Sequence, residues 1–216
     1  DLNGSSRRDS YSGSSLLNDT GLNRNLNKTI ILHQEGDGGK YNSGISIPTN
    51  NGLKWISGNN NSDVGRLYQW VTLILGMKPY HHEYKIMGLA GYGLKNNVYY
   101  DYANKIYAET LNLKGINFYY KIKPKDNFFY FKQKLSNQRF DTISYAIQYN
   151  TERLLYNWFR NIYKKYKIGN FIFSGGVAQN IKASKKILTI PGIRSLFIPP
   201  GPGDESVSIG AAYCLI

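Results

Sequence analysis

Phe171-Ile172-Phe173-Ser174-Gly175-Gly176-Val177-Ala178-Gln179-Asn180 is the stretch that decides the fold class of this chain. Its apolar run reads as a buried strand, two glycines follow, and a helical pattern begins directly after them. A strand that turns on Gly-Gly into a helix N-terminus leaves backbone N–H groups without intrahelical partners, which suits a phosphate or another anion. The same residues also make an ordinary tight turn with no ligand. A second glycine-rich turn, Pro199-Pro200-Gly201-Pro202-Gly203-Asp204-Glu205-Ser206, opens onto a small-residue helix expected over 207–213. Two such turns close in sequence are placed to face one cleft.

Working outward, the longest periodic segment covers 139–166. There Phe140, Ile143, Ile147, Leu154, Trp158 and Ile162 recur at helical steps and form one stripe. A helix to about Leu188 and a strand near 195–198 follow the opening stretch. Toward the N-terminus, Thr-Ile-Ile-Leu-His-Gln at 29–34 reads as a strand running into Glu35-Gly36-Asp37-Gly38-Gly39, and 43–47 with 53–57 reads as a hairpin. Asp63 is positioned to cap a helix through Gly76, with Leu67, Trp70, Val71, Ile74 and Leu75 on its buried face. Pro79 separates it from a short helix over 81–90, closed by Gly91 and Gly93. Residues 99–111 read as helix, and 116–123 and 128–132 as strands or extended aromatic connections. Residues 1–28, rich in Ser, Asn, Gly and Arg, read as an irregular lead-in, leaving 29–216 as the folded unit. Strands alternating with helices indicate an α/β architecture.

The 216 residues suffice for one substantial core or two compact lobes, and 41% apolar content fits a globular protein. Lys and Arg number 27 against 14 acidic residues, a formal charge of +13, which favours polyanionic small molecules or nucleic acid. The basic residues are scattered, with pairs at Lys164-Lys165 and Lys185-Lys186 and no longer run, so nucleic acid is the weaker of those partners. No apolar run approaches the ~20 residues of a membrane span. The single Cys214 cannot form an internal disulfide, and the expected compartment is the cytoplasm.

Glu35 and Asp37 sit among glycines at a strand end, where carboxylates suit a metal or a metal-bound phosphate, or simply an Asp-Gly turn. Asp204 follows Gly-Pro-Gly at a helix start, fitting a cap, a metal ligand or both. Adjacent His81 and His82 point in different directions and do not share one metal. Lys85 lies on a short helix within reach of a phosphate or in solvent. Asn180 is a candidate for a nucleotide or its ribose, or a helix-surface amide. There is no nucleophile elbow, Walker loop, zinc-spaced Cys pair or dinucleotide fingerprint, which argues against hydrolase, P-loop and dehydrogenase functions.

Taken together, several blocks resemble a known family. They are Gly65-Arg66-Leu67-Tyr68 with Val71-Thr72, Leu75-Gly76-Met77, and Glu83-Tyr84-Lys85-Ile86-Met87-Gly88-Leu89-Ala90-Gly91-Tyr92-Gly93. Phe140-Asp141 through Gln148 and Glu152, Ser174 to Asn180, Gly203-Asp204 and Gly210-Ala211-Ala212 continue in the same order. The pattern is similar to carbamoyltransferases of the nodulation-protein-U and antibiotic O-carbamoylating type, over roughly 29–216. The resemblance implies an actin/sugar-kinase-like (ribonuclease-H-like) lobe architecture, here an incomplete first lobe plus a second lobe around a nucleotide cleft. It also implies that carbamoyl-adenylate, made from carbamoyl phosphate and ATP in a separate domain, passes its carbamoyl group to a hydroxyl of a small molecule or glycan. A ferrous ion, or another divalent metal, is implied, held by two histidines and two acidic residues. Asp204 matches the later acidic ligand. Glu35 matches the earlier one by register and Asp37 by residue type. Gly175, Gly176, Val177 and Asn180 carry over to the nucleotide loop, and Lys85, in the most specific block, is the candidate catalytic residue.

Two features depart from the family pattern. Residues 1–34 hold His33 where the family has paired histidines, and the first strands and the adenylate-forming domain are missing. The expectation is a truncated or split protein that is inactive alone. A relative of the tRNA threonylcarbamoyl transferases shares the Gly-Gly-Val loop but not the Lys-Ile-Met-Gly-Leu-Ala block. An inactive nucleotide-binding or interaction module is the reading that the missing histidines favour.

Overall fold

Alternation in Thr29–Gln34 (β1) buries Ile30, Leu32 and Gln34 and leaves the residues between them half-buried, as a strand with one covered face requires. The computed structural model describes residues 28–34, 43–57, 64–93 and 98–203. β1 is central in a five-stranded mixed sheet with Ser43–Thr49 (β2), Gly52–Ser57 (β3), Asn170–Ser174 (β6) and Ser195–Phe197 (β7), in the order β3-β2-β1-β6-β7. β1, β2 and β3 form an antiparallel meander, whereas β6 pairs parallel to both β1 and β7. In that parallel register Ile30 lies opposite Phe171 and Leu32 opposite Phe173, so four fully buried side chains share one face.

The helix expected over 139–166 covers this face. It is observed as Phe140–Tyr166, called α5 below, 27 residues and thus about 40 Å long. Phe159 stands over the sheet, with its ring centroid 5.3 Å from Phe171 and 5.2 Å from Phe173. Each such aromatic removed from water contributes roughly 1.5–3 kcal/mol. Ile143, Ile147, Leu154, Trp158 and Ile162 are buried as the stripe predicts. Phe140 is not: it occupies the first helical turn and is 64% exposed, because the stripe engages neighbours only from the next turn onward.

The other helices are Val64–Ile74 (α1), Glu83–Leu89 (α2), Val98–Thr110 (α3), Asn127–Lys134 (α4) and Ile181–Ile187 (α6). α1 buries Leu67 and Val71 as expected, with Leu75 just after it; the expected Trp70 and Ile74 pack half-buried against the same core, and Tyr68 and Thr72 are buried in addition. Asp63, its expected cap, lies outside the described residues. α2 starts at Glu83 rather than His81, with a turn through the histidines ahead of it, and ends in a 3-10 turn at Ala90–Tyr92.

The segment 128–132, read as extended, is helical. Asp126 caps α4 by accepting the Phe129 N–H, and Phe131 turns inward to meet Tyr107 with ring centroids 5.7 Å apart. Abundant aromatics imitated a strand there, and the cap decides otherwise. A hairpin of Leu111–Lys114 (β4) and Asn117–Tyr120 (β5) follows α3, so Leu111 begins a strand rather than closing the helix. Phe118 of this hairpin packs on Trp158, whose indole N–H donates to the Ile116 carbonyl.

Candidate functional site

The opening stretch of the sequence behaves differently from a strand feeding straight into a helix. β6 ends at Ser174, Gly175 adopts φ +92°, and a 3-10 turn spans Gly176–Gln179. Asn180 breaks the helical path with ψ 88°, and α6 begins only at Ile181. The Asn180 side chain caps α6 by accepting the Ala183 N–H at 3.1 Å.

The amides expected to be free are partly occupied. The Gly175 N–H donates to the Pro202 carbonyl at 2.7 Å. Gly175 also lies against β1: a Cβ at this position would stand 2.0 Å from the Gln34 carbonyl oxygen. The last described residue before Glu35 and the bend before Asp204 therefore both meet Gly175. Glu35, Asp37 and Asp204 themselves lie outside the described residues, as do Cys214 and the helix expected over 207–213. Among the described residues no group of three or more His, Cys, Asp or Glu is placed to hold a metal ion. His33 is at the end of β1, its Nδ1 2.9 Å from the Ser174 hydroxyl. His82 precedes α2 and accepts the Lys78 N–H on Nδ1, while His81 is exposed.

A cavity of about 200 Å³ opens between α1, α2, α5 and the turn after β6. Val64, Gly65 and Tyr68 come from α1, Glu83, Tyr84 and Met87 from α2, and Gly176, Val177, Gln179 and Asn180 from the turn. Of the residues predicted for a nucleotide loop, Gly176, Val177 and Asn180 line this space, whereas Gly175 does not and instead approaches the Gln34 backbone. Lys85 is exposed on α2 beside the wall, its Nζ 5.8 Å from the centre of the Tyr84 ring. Lys182 ties α2 to α6 by donating to the Met87 carbonyl at 3.2 Å.

Sequence reasoning missed Tyr80. It follows Pro79 in the α1–α2 connection, has φ +68°, and holds its N–H on Glu83 Oε1 at 2.7 Å at the mouth of the cavity. A bulky residue at positive φ is uncommon, and nothing local in the sequence announces it. Gln148 and Glu152, four residues apart on α5, mark a polar break in an otherwise apolar face, and that spacing is a readable signal. Behind the wall Gln148 Oε1 accepts from the Tyr68 hydroxyl at 2.8 Å and from Asn180 Nδ2 at 2.9 Å. Burial, with the Glu152 and Glu83 carboxylates nearby, pushes the Tyr68 phenol far up, so it stays protonated and acts as the donor.

The family profile described as carbamoyltransferase N-terminus matches residues 27–213. An uncharacterized protein of Methanocaldococcus jannaschii is 30% identical over 194 residues, which is 86% of this chain and 36% of that protein. A second uncharacterized protein of the same organism is 30% identical over 155 residues, 70% of this chain and 25% of the relative. An uncharacterized protein of Synechocystis sp. is 27% identical over 172 residues, 69% of this chain and 26% of its own length. The chain thus spans between 25% and 36% of these curated relatives. No helix among the described residues is long and apolar enough to cross a membrane.

Proposed function

The chain belongs to the carbamoyltransferase N-terminus family, and from that premise we propose that it forms the part of an O-carbamoyltransferase that receives carbamoyl-adenylate and directs its carbamoyl group to a hydroxyl. The observation that carries this reading is convergence. Three separate sequence blocks, two on neighbouring helices at Gly65–Tyr68 and Glu83–Met87 and a distant one at Gly176–Asn180, supply the walls of one cavity. The fold belongs to the proposal too. A sheet in the order β3-β2-β1-β6-β7, with only β2 running against the rest, supports an actin/sugar-kinase-like lobe of the ribonuclease-H-like kind.

In this reading the adenosine part of the donor occupies the cavity, with tyrosine rings and Met87 against its apolar faces. Lys85, outside the wall, is assigned to the phosphate side. Glu35 or Asp37, with Asp204, would hold a ferrous or other divalent ion. Carboxylate oxygens suit such an ion, and the common meeting of Gln34 and Pro202 with Gly175 supports a shared location for the two loops. When bound, the ion would polarise a carbonyl or phosphoryl oxygen. The chain's own residues bind and orient the reactants, and replacing a bimolecular encounter in this way lowers a barrier by as much as ~7–11 kcal/mol. The acceptor is a small molecule or glycan hydroxyl, and carbamoyl phosphate and ATP enter through an adenylate-forming domain elsewhere in the parent polypeptide.

Calorimetric titration of the chain with AMP, a stand-in for the adenylate, tests the cavity assignment. Saturable binding that Asn180→Ala weakens is expected, and no heat up to millimolar AMP would overturn it. In the complete parent protein, carbamoyl phosphate- and ATP-dependent transfer should be abolished by Asp204→Ala. Unchanged turnover would remove Asp204 from the metal site. A tRNA mobility shift at ~150 mM salt would instead favour the threonylcarbamoyl relative.

A further inference from the structure

We propose that Gln148, which touches no ligand itself, fixes the polarity of the cavity by holding Asn180 as a hydrogen-bond donor toward whatever occupies it. The inference rests on the nucleotide reading of the cavity for its binding assay, but its structural part does not.

An asparagine amide presents either a carbonyl or an NH₂ to a ligand, and the two select opposite partners. Here unambiguous groups at both ends of a short chain of hydrogen bonds decide the orientation. At one end the backbone N–H of Ala183 only donates, so the Asn180 atom it meets at 3.1 Å is Oδ1. At the other end the Glu152 carboxylate accepts Gln148 Nε2 at 2.9 Å, and its second oxygen lies 3.4 Å from Lys186 Nζ. Between those ends the two amides pair reciprocally. Gln148 Nε2 donates to Asn180 Oδ1 at 3.0 Å, and Asn180 Nδ2 donates to Gln148 Oε1 at 2.9 Å. The Tyr68 hydroxyl, held protonated, donates to the same Gln148 Oε1 at 2.8 Å.

The count of lone pairs and protons then closes. Asn180 Oδ1 has both acceptor sites engaged, by Ala183 and Gln148, and one Nδ2 hydrogen is on Gln148. What a half-buried Asn180 has left for the cavity it lines is its second N–H. The complementary ligand atom is an acceptor, such as a ring nitrogen, an ether or hydroxyl oxygen, or a carbonyl. Gln148 is 3% exposed and bonded on both amide atoms, so it acts only through Asn180 and Tyr68 and is a positioning residue.

The test compares the full chain with Gln148→Leu and Gln148→Glu. The first readout needs no ligand: the ¹⁵N–H side-chain signals of Asn180 in NMR. In the wild type the two amide protons should be well separated, with one protected from exchange. In Gln148→Leu they should collapse toward solvent values while the Ala183 backbone signal persists. The second readout is AMP affinity across pH 5–8. Removing one clamped hydrogen bond weakens binding roughly fivefold to tenfold. In Gln148→Glu the new carboxyl faces Glu152 and Asn180 Oδ1, with Lys186, Glu83 and the Tyr68 phenol as the other titratable groups nearby. It must be protonated to donate, so its affinity should be near that of wild type at acid pH and fall as pH rises, while wild type stays flat. Altered melting with unchanged Asn180 signals and unchanged affinity would make Gln148 a stability residue only and overturn the inference. Failure of the wild type to bind AMP overturns the nucleotide reading, and collapse of the Asn180 signals in Gln148→Leu still upholds the clamp in that event.

Discussion

Replacing Gly175 with alanine asks whether this glycine is present for a ligand or for the sheet. At φ +92° and ψ 161° its backbone lies in a region that is essentially restricted to glycine, and placing alanine there costs roughly 1–3 kcal/mol. The added methyl would stand 2.0 Å from the oxygen, 2.5 Å from the carbon and 2.9 Å from the nitrogen of Gln34, all backbone atoms of the central strand. Backbone cannot swing aside as a long side chain does, so the overlap adds roughly 1–3 kcal/mol. The expected loss is on the order of 2–6 kcal/mol, a large share of the ~5–15 kcal/mol that holds a domain folded. Urea unfolding followed by circular dichroism measures it. Gly88→Ala is the control. It lies in α2, nothing stands within 4 Å of its added methyl, and there the substitution should stabilise by roughly 0.5–1 kcal/mol. A Gly175→Ala loss below about 1 kcal/mol would refute the close-approach argument and return the residue to a ligand-only role.

Three further expectations are direct. Asp126→Ala removes the α4 cap and should cost about 1 kcal/mol in the same urea experiment, more than Asn127→Ala on the same helix. Tyr68→Phe takes one donor from Gln148 Oε1 and should lower stability by about 1 kcal/mol, with the loss absent when Gln148 is already leucine, as a double-mutant cycle will show. The Arg139 guanidinium hydrogen-bonded to Asp141 holds that carboxyl below its ordinary range. Its folded value is therefore under the unfolded ~3.9, and the contribution is present above that pH and lost as pH falls below it. The urea midpoint of Asp141→Asn should accordingly differ from wild type at pH 6, and the difference should shrink steadily as pH falls into the acid range.

Much of the fold was legible because its signals are local. The 3.6-residue stripe through Ile143, Ile147, Leu154, Trp158 and Ile162 sufficed for α5, and alternation in 29–34 sufficed for β1. Where local signals conflicted, reading failed. Aromatic density at 128–132 suggested a strand, while the Asp126 cap and the inward-facing Phe131 made a helix. Periodicity also has no means of telling that Phe140 sits one turn before the packed region begins.

The site divides the same way. The amino-acid sequence by itself determined the family, the residues of the Gly-Gly turn and the blocks on α1 and α2, because each is a contiguous run whose chemistry and spacing do not depend on the rest. Only tertiary structure decided which of them meet. Gly176, Val177 and Asn180 joined Tyr68 and Glu83 around one space, and Lys85 fell outside it. Gly175 proved to face a strand some 140 residues earlier in the chain, as the Gln34 contact shows. The physical reason is range: a turn or helix is set by neighbours within a few residues. Close approaches and reciprocal amide bonds such as Gln148 to Asn180 exist only once distant segments are packed at fixed spacing.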